Sequence, residues 1–164
     1  METARIALLI AATITMGWMS GLFYGFSVSV MPGLARAADR TVIETMQRIN
    51  VAILNGWFLL GYLGALLFTG VALGLAIPAD GRPALAPLIG AFVTYAAAMG
   101  LTARVNIPLN NALEAAGAPD RMSDATAATV RQSFERPWVR ANAWRAFLCT
   151  AALGFLAWAL LESC

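Results

Sequence analysis

The chain has 164 residues, 60% of them hydrophobic and only 12% charged, with a formal charge of +2. A soluble domain carries about twice that share of charged residues, so an ordinary water-soluble domain is excluded. Every basic residue is an arginine and histidine is absent, which removes the commonest metal ligand and the commonest general base and excludes histidine-held haem, zinc, copper or di-iron.

Charge-free stretches run over 6–35, 49–79, 83–103 and 146–161. A membrane-spanning helix needs about 20 apolar residues. Three stretches meet that outright, and the last, with 16 residues, meets it once Arg145, or both Arg140 and Arg145, enter the helix end. The expected fold is an all-α integral membrane protein, a four-transmembrane-helix bundle forming one domain over 1–164. Its helices are expected over about 4–31, 41–77, 83–105 and 137–162, with short amphipathic helices over about 109–116 and 124–136. The first apolar segment is too long for a signal peptide and no A-x-A site follows it.

In helix one, Gly17, Gly21 and Gly25 make two consecutive GxxxG steps, a surface for close helix approach within the bundle or between two copies. Ser20, Tyr24 and Ser27 add a mildly polar stripe. Met31-Pro32-Gly33 is expected to end or kink this helix. Thr41-Val42-Ile43-Glu44 is a capping box that opens a helix continuing through Arg48 and Asn55 into the second span. Arg48, Asn55 and Tyr62 are seven apart and share a face of it. A tight turn follows over 77–83, and glycines 61, 64, 70 and 74 repeat the close-packing signal.

The third helix is expected to break at Asn106-Ile107-Pro108, because the residue before proline avoids helical angles. Gly117-Ala118-Pro119 stops the short helix after it, and Ser123 or Asp124 caps the next. Pro137 suits the first position of helix four, on which Trp138, Asn142 and Arg145 share a face. Cys149 and Cys164 are fifteen helical positions apart, about 22 Å, too far for a disulfide.

The tripeptide Arg-x-Asn occurs twice, as Arg48-Ile49-Asn50 and Arg140-Ala141-Asn142, each before an apolar run and after a proline, Pro32 and Pro108. The bundle therefore reads as two helical hairpins related by duplication. Nine arginines lie in or beside the connections between helices one and two and between three and four, against Arg5 and Arg82 on the other side. By the positive-inside rule those connections face the cytoplasm and both termini face outward. The expected location is a bacterial cytoplasmic membrane.

Polar side chains near lipid are costly. Arg36, Arg40, Arg121, Arg131 and Arg136 read as headgroup anchors. Arg48, Asn106, Asn110, Arg140, Asn142 and Arg145 read as converging on one inner-side cavity lined by Trp138 and Tyr24, with Asn55 beside them. Such a set suits a flat aromatic ligand with polar edges. Arginine and asparagine would hold ketone or enolate oxygens while Trp138, Trp144 or Phe147 stack on the rings.

These segments, above all Asn106-Ile107-Pro108-Leu109-Asn110-Asn111 and Trp138-Val139-Arg140-Ala141-Asn142 through Arg145, resemble a widespread membrane family that includes the fungal anthrone oxygenases. The resemblance covers nearly the whole chain. It implies a small four-helix membrane protein and, for the fungal members, oxidation of an anthrone to an anthraquinone by molecular oxygen. An anthrone reacts with oxygen once deprotonated, so no metal, flavin or other cofactor is expected. Arg145, Arg140 and Asn142 would then serve catalysis by stabilising the oxyanion. Arg48, Asn55, Asn106, Asn110, Trp138 and Tyr24 would bind the substrate. Glu44, Glu114, Glu135, Tyr24 or water remain as the base. The alternative is a non-catalytic module that binds a lipid, a quinone or a partner protein. Expected partners are membrane lipid, a hydrophobic aromatic small molecule and a second copy of the chain, with no nucleic acid.

Overall fold

The computed structural model describes residues 2–77 and 82–163. Met1, Cys164 and the part of the expected turn at 78–81 lie outside the described residues. Helix α1 (Glu2–Gly25) passes through a π-helical turn, Phe26–Val30, into α2 (Met31–Leu34). Then come α3 (Asp39–Ala52) and α4 (Gly56–Leu75). Helix α5 (Leu85–Leu101) passes through a second π-helical turn, Thr102–Asn106, into α6 (Ile107–Ala115), and α7 (Asp124–Leu161) completes the chain. Four helical runs are long and apolar enough to cross a membrane: Thr3–Leu34, Gly56–Leu75, Arg82–Ala115 and Asp124–Leu161. The described chain is all-helical, an integral membrane protein built as a four-helix bundle.

Pro108 does not break its helix, contrary to the sequence expectation, and the first helix runs past Pro32 only to Leu34. A proline ring clashes with the carbonyl four residues back, here that of Val28 and of Arg104. Both carbonyls sit inside the π turns, whose wider winding moves them aside. Each turn closes with the same five-residue bond: Met31 N–H donates to the Phe26 carbonyl, and Ile107 N–H to that of Thr102. The third span thus runs unbroken to Ala115, where the expected separate helix over 109–116 becomes its end. Gly117, at φ +87°, turns the chain away.

The second span differs in the other direction. One helix was expected over 41–77, but the chain breaks between Ala52 and Gly56. Asn55 causes the break. Its side chain accepts from Phe58 N–H at 3.1 Å and donates to the Ala52 carbonyl at 2.9 Å, capping a new helix instead of continuing the old one. In the last span Pro137 lies inside α7 and does not start it. Phe134 and Trp138 are both buried beside it and hold the axis across the one lost backbone bond. At 38 residues the helix is about 57 Å long, nearly twice the hydrocarbon thickness, so its first half projects beyond the bilayer.

In the bundle α1 packs on both α4 and α7, and α5 packs on α7, while α4 and α5 are the most loosely packed of the neighbouring pairs. The core is built from small and flexible residues: Ala12, Met16, Met19, Ala65, Ala91, Ala152 and Leu156, with Tyr95 the largest. Tyr95 Oη donates to the Tyr62 carbonyl at 2.7 Å, tying α5 to α4. The glycines divide. A Cβ on Gly61 would meet Met19 Cε at 2.7 Å, and one on Gly90 would meet the Phe155 ring at 3.0 Å. At Gly17, Gly21 and Gly25 a Cβ would meet nothing within 4 Å. The GxxxG steps of helix one are therefore not a close-packing surface within this chain, which corrects the expectation.

A second apolar cluster of Met31, Ile43, Met46, Leu113, Met122, Phe134 and Trp138 joins α3, α6 and the start of α7 into a cap over one end of the bundle. Arg131 fastens that cap and is no free headgroup anchor. It donates to the carbonyls of Ala37 and Ala35 at 2.9 and 3.1 Å and pairs with Asp39 and Glu135. Arg40 likewise donates to the Met122 carbonyl at 2.6 Å and pairs with Asp124.

Candidate functional site

The cap and the bundle enclose a cavity of about 780 Å³, within the roughly 300–1,000 Å³ usual for small-molecule sites. Its wall comes from α1 and the first π turn (Phe23, Phe26), the α3–α4 break (Asn50, Leu54, Phe58, Tyr62), the second π turn and α6 (Thr102, Asn106, Asn110, Asn111, Glu114) and α7 (Trp138, Asn142, Arg145). It sits at the α4–α5 seam, where helix packing is loosest. Leu54, Leu59 and Leu63 on one side and Ile107 on the other line it while remaining exposed. In a membrane protein such side chains meet lipid tails, so the cavity opens sideways to the bilayer.

The polar centre is built on α7. Arg145 is 6% exposed and its guanidinium lies over the Phe23 ring at 4.2 Å and the Trp138 ring at 5.4 Å. Aromatic faces compensate a desolvated cation. One nitrogen, Nη2, donates to Asn142 Oδ1 at 2.8 Å. Asn142 Nδ2 in turn donates to the Phe23 carbonyl and to Ser27 Oγ, both at 2.9 Å, so the first π turn fixes the amide that fixes the arginine. Trp138 Nε1 donates to Asn110 Oδ1 at 2.9 Å, locking the indole against α6.

Several buried atoms in this wall have no partner: Arg145 Nε, Asn50 Nδ2, and both Nδ2 and Oδ1 of Asn106. Asn106 is 1% exposed. Buried polar groups are nearly always bonded, and leaving one unmade costs about 1–3 kcal/mol. All four belong to residues that line one cavity.

Of the side chains expected at the site, Asn106, Asn110, Trp138, Asn142 and Arg145 line this cavity, and Arg48, Arg140, Asn55 and Tyr24 do not. Arg48 is exposed and pairs with Glu44 one turn back at 2.7 Å. Arg140 is exposed, because two residues before Asn142 lies roughly 200° away around the helix. The same rotation separates Arg48 from Asn50. In both copies of Arg-x-Asn the asparagine faces the cavity and the arginine faces away. Asn55 is spent on its helix cap. Tyr24 is 59% exposed, one position round from Phe23. Trp144 and Phe147 are exposed and pack edge to face on one another, so of the three expected stacking residues Trp138 alone lines the cavity. Sequence reasoning did not single out Phe23, Phe26, Asn50, Tyr62, Thr102 and Asn111 as site residues. The phase of Asn142 carried over to its repeat would have found Asn50.

The fold is that of a small helical membrane protein with a polar-centred cavity between its helices. The sequence model described as anthrone oxygenase matches residues 56–155, and the chain belongs to that family. The match takes in Asn106, Asn110, Trp138, Asn142 and Arg145, while Phe23, Phe26 and Asn50 precede it. No curated protein and no solved structure matches the chain.

Proposed function

We propose that the chain oxidises a polycyclic anthrone-type phenol with molecular oxygen in this cavity, at the cytoplasmic face of a bacterial membrane, without a bound cofactor. The observation that carries the reading is the unpartnered Nε of Arg145, a buried cationic donor held between two aromatic rings. Such a donor is stronger for charge that develops in the reaction than for a neutral ground state.

The chemistry balances without a metal. Removing a proton from the ring CH2 gives a carbanion conjugated with the ketone, whose oxygen takes the charge and the Arg145 N–H. Oxygen accepts that electron pair in two one-electron steps and bonds to the carbon. Protonation gives a hydroperoxide, and loss of water leaves the second carbonyl, so CH2 and O2 become C=O and H2O. Asn142, whose amide protons are both engaged and whose oxygen accepts from Arg145, positions that arginine, and Trp138 stacks on the rings. Glu114 serves as the base. Among the carboxylates named from sequence, Glu44 and Glu135 are held by Arg48 and Arg131. Glu114 lines both the cavity and the adjoining polar groove with Glu44, Gln47, Arg48 and Asp120, which gives its proton a way back to water.

The test is purified protein with an anthrone under oxygen, following quinone absorbance and oxygen uptake. One oxygen consumed per quinone formed is the expected result. A second reading, a module that binds an aromatic or quinone-like lipid without reaction, is favoured by the apolar rim facing the bilayer. Saturable binding of the anthrone with no oxygen uptake above the protein-free rate selects it.

A further inference from the structure

Asn106 is the least explained side chain in the molecule. Its carboxamide is 1% exposed, borders the cavity, and has neither its donor nor its acceptor bonded. Interchanging the two ends of the amide leaves the same count, one donor and one acceptor both unmet. Thr102, one turn back, is spent on the Ala98 carbonyl, and Asn110, one turn on, accepts the indole of Trp138. The neighbours along the helix therefore do not engage it.

We infer that Asn106 is a specificity-determining residue that selects ligands presenting a hydrogen-bond donor beside an acceptor on one edge of the ring system. The inference rests on the reading of the cavity as a polycyclic phenol site. The two polar atoms of a carboxamide sit side by side and point the same way. The edge that satisfies both carries two adjacent oxygens of which one keeps its proton, as in a vicinal ring diol. One hydroxyl donates to Oδ1 and the oxygen of its neighbour accepts from Nδ2. A hydroxyl lying beside the ring ketone is a poorer match, because its proton is already bonded to that ketone. A bare hydrocarbon edge or an acyl chain leaves both amide atoms as unmet as they are in the empty site and gains nothing from them, whereas the matching edge gains both bonds.

The test is equilibrium binding of three anthraquinones to the purified full-length protein: unsubstituted, 2,3-dihydroxy and 2,3-dimethoxy. Wild type is expected to prefer the dihydroxy over the dimethoxy compound by about tenfold, the worth of one or two net hydrogen bonds. Asn106→Leu, of similar size without polar atoms, is expected to bring the two within about twofold. It should also melt no lower than wild type, since replacing an unsatisfied buried amide relieves its cost. Discrimination that survives in Asn106→Leu overturns the inference and assigns the preference to the bulk of the methoxy groups. A lower melting temperature makes Asn106 structural, and equal binding of the two compounds by wild type overturns the inference by itself. If all three compounds fail to bind wild type, the polycyclic reading falls and this inference with it. If they bind without discrimination, this inference falls and that reading stands.

Discussion

Arg145 and Asn142 show how a cation is kept in a membrane protein without a carboxylate partner. Two aromatic faces and one amide oxygen compensate the guanidinium, and its Nε is left without a partner. Arg145→Ala is expected to lower anthrone turnover by about 10²–10³, the usual loss for one donor to a developing oxyanion. Arg48→Ala, Arg140→Ala and Arg121→Ala, all exposed, should stay within about twofold of wild type in the same assay. A loss of melting temperature in Arg145→Ala that matches its loss of activity makes the arginine structural. Because no histidine exists to hold a metal, chelators are expected to leave turnover intact. Inhibition by chelator that added metal reverses discards the cofactor-free mechanism.

At the scale of helices, the two π turns decide where the site lies. In a regular α-helix each fourth residue runs ahead by roughly 40° round the axis, which would carry Thr102, Asn106, Asn110 and Glu114 progressively off one face. The wider turn at Thr102–Asn106 takes up part of that drift, and all four line the cavity. Pro108 favours the turn by clashing with the Arg104 carbonyl in a regular helix. Pro108→Ala is therefore expected to leave helix content unchanged by circular dichroism while turnover falls by about tenfold or more, as a misplacement of about 1 Å does. Unchanged turnover would show that the second π turn does not position the site. The break at Asn55 makes a simpler prediction. Losing its cap by Asn55→Ala should cost about 1 kcal/mol, read from the denaturation midpoint, since its side chain is outside the cavity. A change in substrate affinity without a change in stability would return Asn55 to the site.

Over the whole molecule, the cap of α3, α6 and the start of α7 covers the end of the bundle that carries most of the arginines. That bias sets the proposed orientation, with the cap on the cytoplasmic side and both termini outside. Cys149 is buried, so in intact cells a membrane-impermeant thiol reagent reads the position of Cys164 alone. Labelling from outside is the expected result, and labelling only after the cells are opened inverts the topology. The ring of packed pairs, α4 on α1, α1 on α7 and α7 on α5, leaves α4 and α5 as the loose seam. The cavity's exposed leucines lie there.

The sequence by itself determined the class of the protein. Three uncharged runs long enough to cross a bilayer, and a fourth that reaches that length once Arg145 joins it, give four spanning helices, because hydropathy adds up along a run regardless of which way each side chain points. The same holds for the family, carried by the asparagine–proline and tryptophan–arginine–asparagine motifs. What only the tertiary structure decided was phase and partnership. Whether Arg140 or Asn142 faces inward turns on a rotation of roughly 200°, which depends on what packs against α7. Whether a proline breaks a helix or widens it turns on room for a displaced carbonyl. Whether Asn55 caps a helix or lines a cavity turns on a competition between two local hydrogen-bond patterns. And the vacancy of Asn106 is a property of all its neighbours at once: a residue type names the groups that seek partners, but only the packed structure shows which of them find none.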